Sequence, residues 1–153
     1  MKNKIAYVAL SADILHRGHL NILNEASKLG LVTVGLLTDK AIASYKKLPI
    51  TSYDERYAII SNIKSVHKIV KQETASYADN LRLLKPDYVV HGDNWKNGIL
   101  KDIRLEVIDI LKEWSGKLVE PKYTNTLESD KIEKAIKGLS STPQFRLGSL
   151  KRL

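Results

Sequence analysis

An α/β domain, with an open, doubly wound sheet of about five parallel strands covered by helices on both faces, is what this 153-residue sequence predicts. Three observations carry the prediction. Segments of strand character alternate with segments of helical period along the chain. The first strand-like segment is continuously apolar, as a strand buried on both faces should be. The length suits one hydrophobic core rather than two.

Each element has its own signal. Ile5 to Leu10 is the first apolar run. From about Gly18 to Leu29, Leu20, Leu23, Ala26 and Leu29 recur three apart with Ile22 beside them, predicting a helix with one apolar face. Leu31 to Leu37 reads as a second strand, followed by a polar loop to about Ser52 and a helix from Tyr53 to about Ile63. His67 to Val70 is a short strand, and Tyr77 to Leu84 a helix that stops before Pro86. Tyr88 to Val90, Ile99 to Trp114 and Lys117 to Glu120 read as strand, helix and strand, with a closing helix over about Ser129 to Gly138. Strict alternation with right-handed crossovers is Rossmann-like. It places the carboxyl ends of the strands on one edge, where such sheets bind ligands. Residues 1–138 form the domain on this reading. Residues 139–153, with Ser140-Ser141-Thr142-Pro143 as a linker, form a basic tail.

Composition narrows the function classes. Hydrophobic residues at 43% and charged residues at 27% are globular values and argue against a disordered chain. No apolar stretch approaches the ~18 residues a membrane-spanning helix needs, and the N-terminus lacks a signal-peptide pattern. The absence of cysteine excludes disulfides, thiolate metal sites and a cysteine nucleophile, and fits a reducing cytoplasm. The net charge is +8, but residues 131–153 hold six basic residues against the single acid Glu133 and so carry +5 of it. A nucleic-acid binder is expected to spread its charge over a folded face. The expected partner is therefore a small anionic ligand rather than nucleic acid or membrane.

The chemistry concentrates after the first strand. His16-Arg17-Gly18-His19 opens the first helix, where backbone N–H groups carry partial positive charge and favour phosphate. Two imidazoles flanking a glycine can hydrogen-bond a phosphate and stabilise charge developing on it. Metal ligation is the competing use of two histidines, but no acidic or thiolate partner stands at ligand spacing, so no metal ligand set is assigned. Incidental surface histidines are the other alternative.

The stretch Ser11-Ala12-Asp13-Ile14-Leu15-His16-Arg17-Gly18-His19 resembles the HxGH signature of the cytidylyltransferase family, whose members act on glycerol 3-phosphate, phosphocholine or phosphoethanolamine. The resemblance continues through Thr38-Asp39, Lys46, Tyr53-Asp54-Glu55-Arg56-Tyr57 and His91-Gly92-Asp93-Asn94-Trp95. Within the family, the wording around Val8 to Asp13 and Val90 to Asp93 looks most like the cytidylyltransferase domain fused to phosphoenolpyruvate mutase in phosphonate biosynthesis. The tail from Thr142 to Leu153 is similar to the junction leading into that mutase, which implies a fragment of a bifunctional enzyme.

The resemblance implies roles residue by residue. His16, His19 and Lys46 are the implied catalytic groups; the bland alternative for Lys46 is a solvated loop lysine. Ser11, Ala12, Gly18, Arg56, His91, Gly92, Asp93, Asn94, Thr124 and Ser129 are implied to bind the nucleotide. Asp13, Lys64 and Tyr123 are assigned to the acceptor. Arg56 at a helix start is badly placed for the helix dipole, which suggests an anionic partner; a surface salt bridge to Asp54 or Glu55 is the alternative. Trp95 is expected to anchor its loop, Trp114 to lie in the core and His67 to be structural. One segment departs from the family pattern: in Thr124-Asn125-Thr126-Leu127-Glu128-Ser129-Asp130 a glycine is replaced by Thr126, and Glu128 and Asp130 stand where hydroxyl residues are usual. Carboxylates there compete with a phosphate for the same amides.

The expected activity is transfer of CMP from CTP, with Mg²⁺, to a small phosphonate such as 2-hydroxyethylphosphonate or 2-aminoethylphosphonate, releasing pyrophosphate. Two alternatives are an adenylyltransferase acting on a small phosphate ester and a nucleotide-binding domain that has lost turnover. The resemblance implies a homodimer, since members of such a family often pair, although no self-complementary apolar stripe in this sequence demands it.

Overall fold

The computed structural model describes residues 3–122, together with residues 131, 132, 134, 135 and 138, which are helical. The chain runs β1 (Ile5–Leu10), α1 (Arg17–Ser27), β2 (Leu31–Leu37), α2 (Asp39–Ala43), α3 (Tyr53–Ile60), β3 (Val66–Gln72), α4 (Ala78–Leu84), β4 (Tyr88–Val90), α5 (Lys101–Leu111) and β5 (Lys117–Val119). Single 3₁₀ turns occupy Asp93–Trp95 and Lys112–Trp114. All pairings are parallel and the strand order is β3-β2-β1-β4-β5. The order reverses at β1, so the crevice lies beyond the carboxyl ends of β1 and β4. This is the Rossmann-like, doubly wound parallel sheet expected from the sequence.

Two apolar layers hold the sheet. On one face Ala6, Val8, Val32, Val34 and Leu36 pack against Ile22, Leu23 and Ala26 of α1 and Ile60 of α3. On the other, Tyr7 and Val89 pack against Leu81 of α4 and Val107, Ile110 and Leu111 of α5. Each fully buried aliphatic side chain contributes about 1.5–3 kcal/mol. Tyr7 reaches across β2 to Gln72 on β3, its hydroxyl donating to Oε1 while accepting from Asn80 Nδ2 at 3.1 Å. The crossing works because residue 35 is glycine: a Cβ there would sit 1.8 Å from the Tyr7 hydroxyl.

Several local expectations are corrected. The segment read as a loop after β2 begins with the short α2, capped by Thr38, whose hydroxyl accepts from Ala41 N at 3.1 Å. Its five residues are too few to display a helical period. β3 runs to Gln72, beyond the expected end at Val70, with His67, Lys68 and Lys71 exposed as suits an edge strand. His67 therefore fills no core position. Leu20 is 41% exposed and lies off the α1 face formed by Ile22, Leu23 and Ala26. Trp114 packs only at the margin of the second layer, its Nε1 donating to Pro86 O at 2.8 Å. No helix among the described residues is long and apolar enough to cross a membrane.

Candidate active site

At the end of β1 the chain turns through Ala12, a buried residue in the left-handed region (φ 55°). A non-glycine residue there costs about 1–2 kcal/mol, strain that the packed loop must offset. The turn delivers His16 to the N-cap of α1, and this cap fixes the chemistry of both histidines. His16 Nδ1 accepts from Gly18 N at 3.0 Å, and His19 Nδ1 accepts from His16 N at 3.2 Å. An imidazole nitrogen that accepts carries no proton, so each neutral ring holds its proton on Nε2. The rings lie 4.2 Å apart, centroid to centroid, and form a pair of N–H donors at the positive end of a helix. Burial first, then the neighbouring His16 and Lys46 side chains, pulls the His19 pKa down to about 4, so this ring is a neutral donor at physiological pH.

His19 borders a cavity of about 440 Å³, with the His16 ring beside it. Ser11, Gly18, His19 and Lys46 line it from β1, α1 and the segment after α2; His91, Gly92, Asn94 and Trp95 line it from the loop after β4. Lys46 Nζ donates to Ser11 Oγ at 3.3 Å and lies 5.4 Å from the Tyr45 ring centre. That places a flexible cation beside the imidazole pair, where a phosphate's charge would be met.

Two charged side chains brace the loops around this mouth. Asp13 accepts from Ile50 N and Thr51 N and from the Thr51 hydroxyl, all at 2.9 Å, tying the β1–α1 loop to the segment before α3. Arg56 is fully buried. Its guanidinium donates to Ser11 O and Leu37 O at 2.7 Å, to Thr51 O at 3.3 Å and to the Asp39 carboxylate at 2.5 Å. The anion that offsets its unfavourable place at a helix start is thus Asp39, neither Asp54 nor Glu55. One side chain joins the carboxyl ends of β1 and β2.

The far wall is equally fixed. His91 Nδ1 bonds Gly92 O at 2.7 Å, and its ring stacks on Trp95 at 3.8 Å between centroids. Burial lowers the His91 pKa. Its Nδ1 must donate to that carbonyl, so Nε2 keeps a lone pair, opposite to the state of His16 and His19. Trp95 is buried, and its Nε1 donates to Glu120 at 2.7 Å. Arg104 grips the same carboxylate at 2.8 and 3.0 Å, which holds the Glu120 pKa below the ordinary carboxylate value. Trp95 is a loop anchor, as expected.

The sequence-derived candidates therefore divide. Ser11, Gly18, His19, Lys46, His91, Gly92 and Asn94 converge on the cavity, while His16 does not line it but has its ring 4.2 Å from that of His19, and Ala12 forms the turn after β1. Asp13 and Arg56 brace the surrounding loops, and Asp93 opens the 3₁₀ turn with its N–H donating to Pro121 O at 3.1 Å. Lys64 is not brought to the site: it is exposed in the turn preceding β3, at the amino edge of the sheet. Tyr123, Thr124 and Ser129 lie outside the described residues, as does the Thr126-to-Asp130 departure. Tyr45, Ala75, Tyr77, Ile99, Leu100 and Ile103 also line the cavity and carried no signal of a site in the sequence. Helical periodicity assigns such residues to a core, and only the fold shows that they face a void. Among the described residues no three His, Asp or Glu side chains converge as a metal cluster.

Residues 11–142 match the family described as cytidylyltransferase-like, and the chain belongs to that family. Among curated proteins it is similar to the bifunctional protein HldE of Aliarcobacter butzleri (strain RM4018), at 32% identity over 82% of this chain and 26% of that protein. It is also similar to the ethanolamine-phosphate cytidylyltransferase of Mus musculus, at 36% identity over 54% of this chain and 21% of that protein. The chain spans only about a quarter of the length of such relatives. Among solved structures, the lipopolysaccharide core biosynthesis protein of Thermoplasma volcanium GSS1 superposes with a TM-score of 0.70 at 24% identity, covering 81% of this chain and all of that one, which shows a shared fold. The family match and the shared fold describe the same cytidylyltransferase-like domain.

Proposed function

We propose that this protein transfers a cytidylyl group from CTP to a small phosphonate or phosphate ester, releasing pyrophosphate. The observation that carries the reading is the pair of Nε2–H donors at the start of α1, of which His19 lines one cavity together with Lys46. An anionic oxygen of the acceptor attacks the α-phosphorus of CTP. The new P–O bond forms as the bond from that phosphorus to the oxygen bridging to the β-phosphorus breaks, and pyrophosphate leaves with the electron pair. No general base is required, because the attacking oxygen is already ionised. Catalysis is positioning plus stabilisation of charge on the α-phosphoryl and departing oxygens by His16, His19, Lys46 and the α1 amides. Mg²⁺ would accompany CTP as its metal complex.

The name of the mouse relative supports a cytidylyl donor, and the sequence resemblance supports a phosphonate acceptor. A pyrophosphate-release assay comparing CTP with ATP over a panel of phosphonates and phosphate esters tests both. Release with CTP and a phosphonate is expected. Release with ATP alone would reassign the donor. Tight CTP binding with no release across the panel would make this a binding domain.

A further inference from the structure

Glu120, just beyond β5, lies outside the cavity lining, yet it is joined to the cavity through two stacked rings. Its side chain is 14% exposed and accepts from Trp95 Nε1 at 2.7 Å, Arg104 Nε at 2.8 Å and Arg104 Nη2 at 3.0 Å. Trp95 is buried, and the face of its indole holds the His91 imidazole at 3.8 Å between centroids, with the planes 5° apart. His91 lines the cavity, and with Nδ1 bonded to Gly92 O, Nε2 is the nitrogen it offers a ligand. We infer that Glu120 is a positioning residue for the nucleotide: acting through Trp95, its carboxylate fixes the plane of the His91 ring and so presents the Nε2 lone pair to an N–H or O–H donor of the bound nucleotide. This rests on the reading of the cavity as the nucleotide site.

The loop backbone is held independently of this carboxylate. His91 N donates to Val119 O and Asp93 N donates to Pro121 O, both at 3.1 Å, on either side of Glu120. What Glu120 adds is the orientation of a ring. A buried indole N–H stripped of its acceptor is driven to another partner, and the ring must turn to reach one. Any such turn breaks the parallel contact with His91. Arg104 fixes the carboxylate in its turn, because its planar fork engages both oxygens. A direct route from Glu120 to His91 is the alternative. Burial lowers the His91 pKa, and the Gly92 bond and then the Glu120 charge oppose it. That route depends on the charge, whereas positioning depends on the indole.

The test compares Glu120→Ala, Glu120→Gln, Trp95→Phe and the double variant Trp95→Phe/Glu120→Ala with wild type, all as the full chain. Glu120→Gln keeps an oxygen for Trp95 Nε1 without the charge, and the Arg104 side chain, 22% exposed, can turn to water. Long-range proton–nitrogen NMR reads the His91 ring in the free protein. Calorimetric titration with a non-hydrolysable CTP analogue reads affinity, and pyrophosphate release at saturating CTP reads kcat. Glu120→Ala should abolish the upfield displacement that a stacked indole gives the His91 ring protons. It should weaken the analogue by about three- to tenfold and leave kcat within about twofold of wild type. Glu120→Gln should stay close to wild type in all three readouts, and Glu120→Ala should add nothing in the Trp95→Phe background. Unchanged His91 signals or unchanged affinity in Glu120→Ala would overturn the inference. Glu120→Gln behaving like Glu120→Ala would replace positioning with a direct effect of charge, and an undiminished effect of Glu120→Ala in the Trp95→Phe background would remove the indole from the route. If Glu120→Ala does not fold, Trp95→Phe carries the test alone, and wild-type affinity in it would overturn the inference. A wild-type protein that binds no CTP analogue would overturn the proposed function and the nucleotide's part in this inference, while the ring signals would still decide whether Glu120 orients His91.

Discussion

Replacing Arg56 with methionine tests whether this side chain is scaffold or ligand contact. Methionine fills much of the same volume but leaves Ser11 O, Leu37 O, Thr51 O and the Asp39 carboxylate without their donor. Each buried polar group stripped of its partner costs about 1–3 kcal/mol. Asp39 is about a third exposed, and the bond to Leu37 O is the one of the four that lies fully buried. Water can therefore replace part of the loss, and the total should fall near the ~3–5 kcal/mol typical of a broken buried ion pair. For a domain of this length that corresponds to a drop in Tm of roughly 6–20 °C. Arg56→Lys keeps the charge but loses the planar fork, and should fall between the two. Urea unfolding of wild type and both variants measures this directly, and a double-mutant cycle with Asp39→Asn isolates the pair. A methionine variant within about 1 kcal/mol of wild type, combined with a large rise in the KM for CTP, would refute the scaffold role and return Arg56 to the nucleotide.

Other outcomes follow from the same geometry. His16→Ala or His19→Ala should each lower CTP-dependent turnover by roughly 10²–10³, the usual loss for one donor to developing charge; near-wild-type rates in both would contradict the paired-donor reading. The folded-state pKa of His19, about 4, lies below the ordinary 6.5, so the unfolded chain takes up the proton first. The contribution of His19 is therefore fully present above about pH 6.5 and is lost as pH falls toward 4, up to about 3 kcal/mol. His19→Asn should flatten the stability–pH profile over that window. His91, also shifted down, is common to both proteins and cancels in the comparison. Gly35→Ala should destabilise by about 1–3 kcal/mol or more, because the new methyl collides with the Tyr7 hydroxyl; unchanged denaturation would contradict the crossing of Tyr7 over β2.

Much of this architecture is legible in the sequence. The continuous apolar runs of β1 and β2 and the helical spacing that follows them specify a parallel layered sheet. The topology of such a sheet then brings the loops after β1, β2 and β4 together. His19, Lys46 and His91 meet for that reason alone. What the sequence withheld is mostly a matter of direction. Arg56 and Lys64 read alike as basic residues near anion sites. Yet Arg56 turns inward to bind strand-end carbonyls, and Lys64 falls at the opposite sheet edge because it precedes β3 instead of following it. Ile99 and Ile103 carry the same apolar signal as Val107, and only packing shows which of them face a void. The short α2 gave too few residues for a period, although Thr38 was available as a cap signal.

The central claim is that two imidazoles, each with Nδ1 tied to its own helix start, present their Nε2 protons to the phosphates of CTP. Long-range proton–nitrogen NMR of the histidine rings, recorded with and without a non-hydrolysable CTP analogue, reads that state atom by atom. Nε2-protonated rings are expected for His16 and His19 in the free protein, with both Nε2–H signals shifting on titration while each Nδ1 remains an acceptor. Nδ1-protonated rings, or Nε2–H signals that stay put at saturating nucleotide, would contradict it.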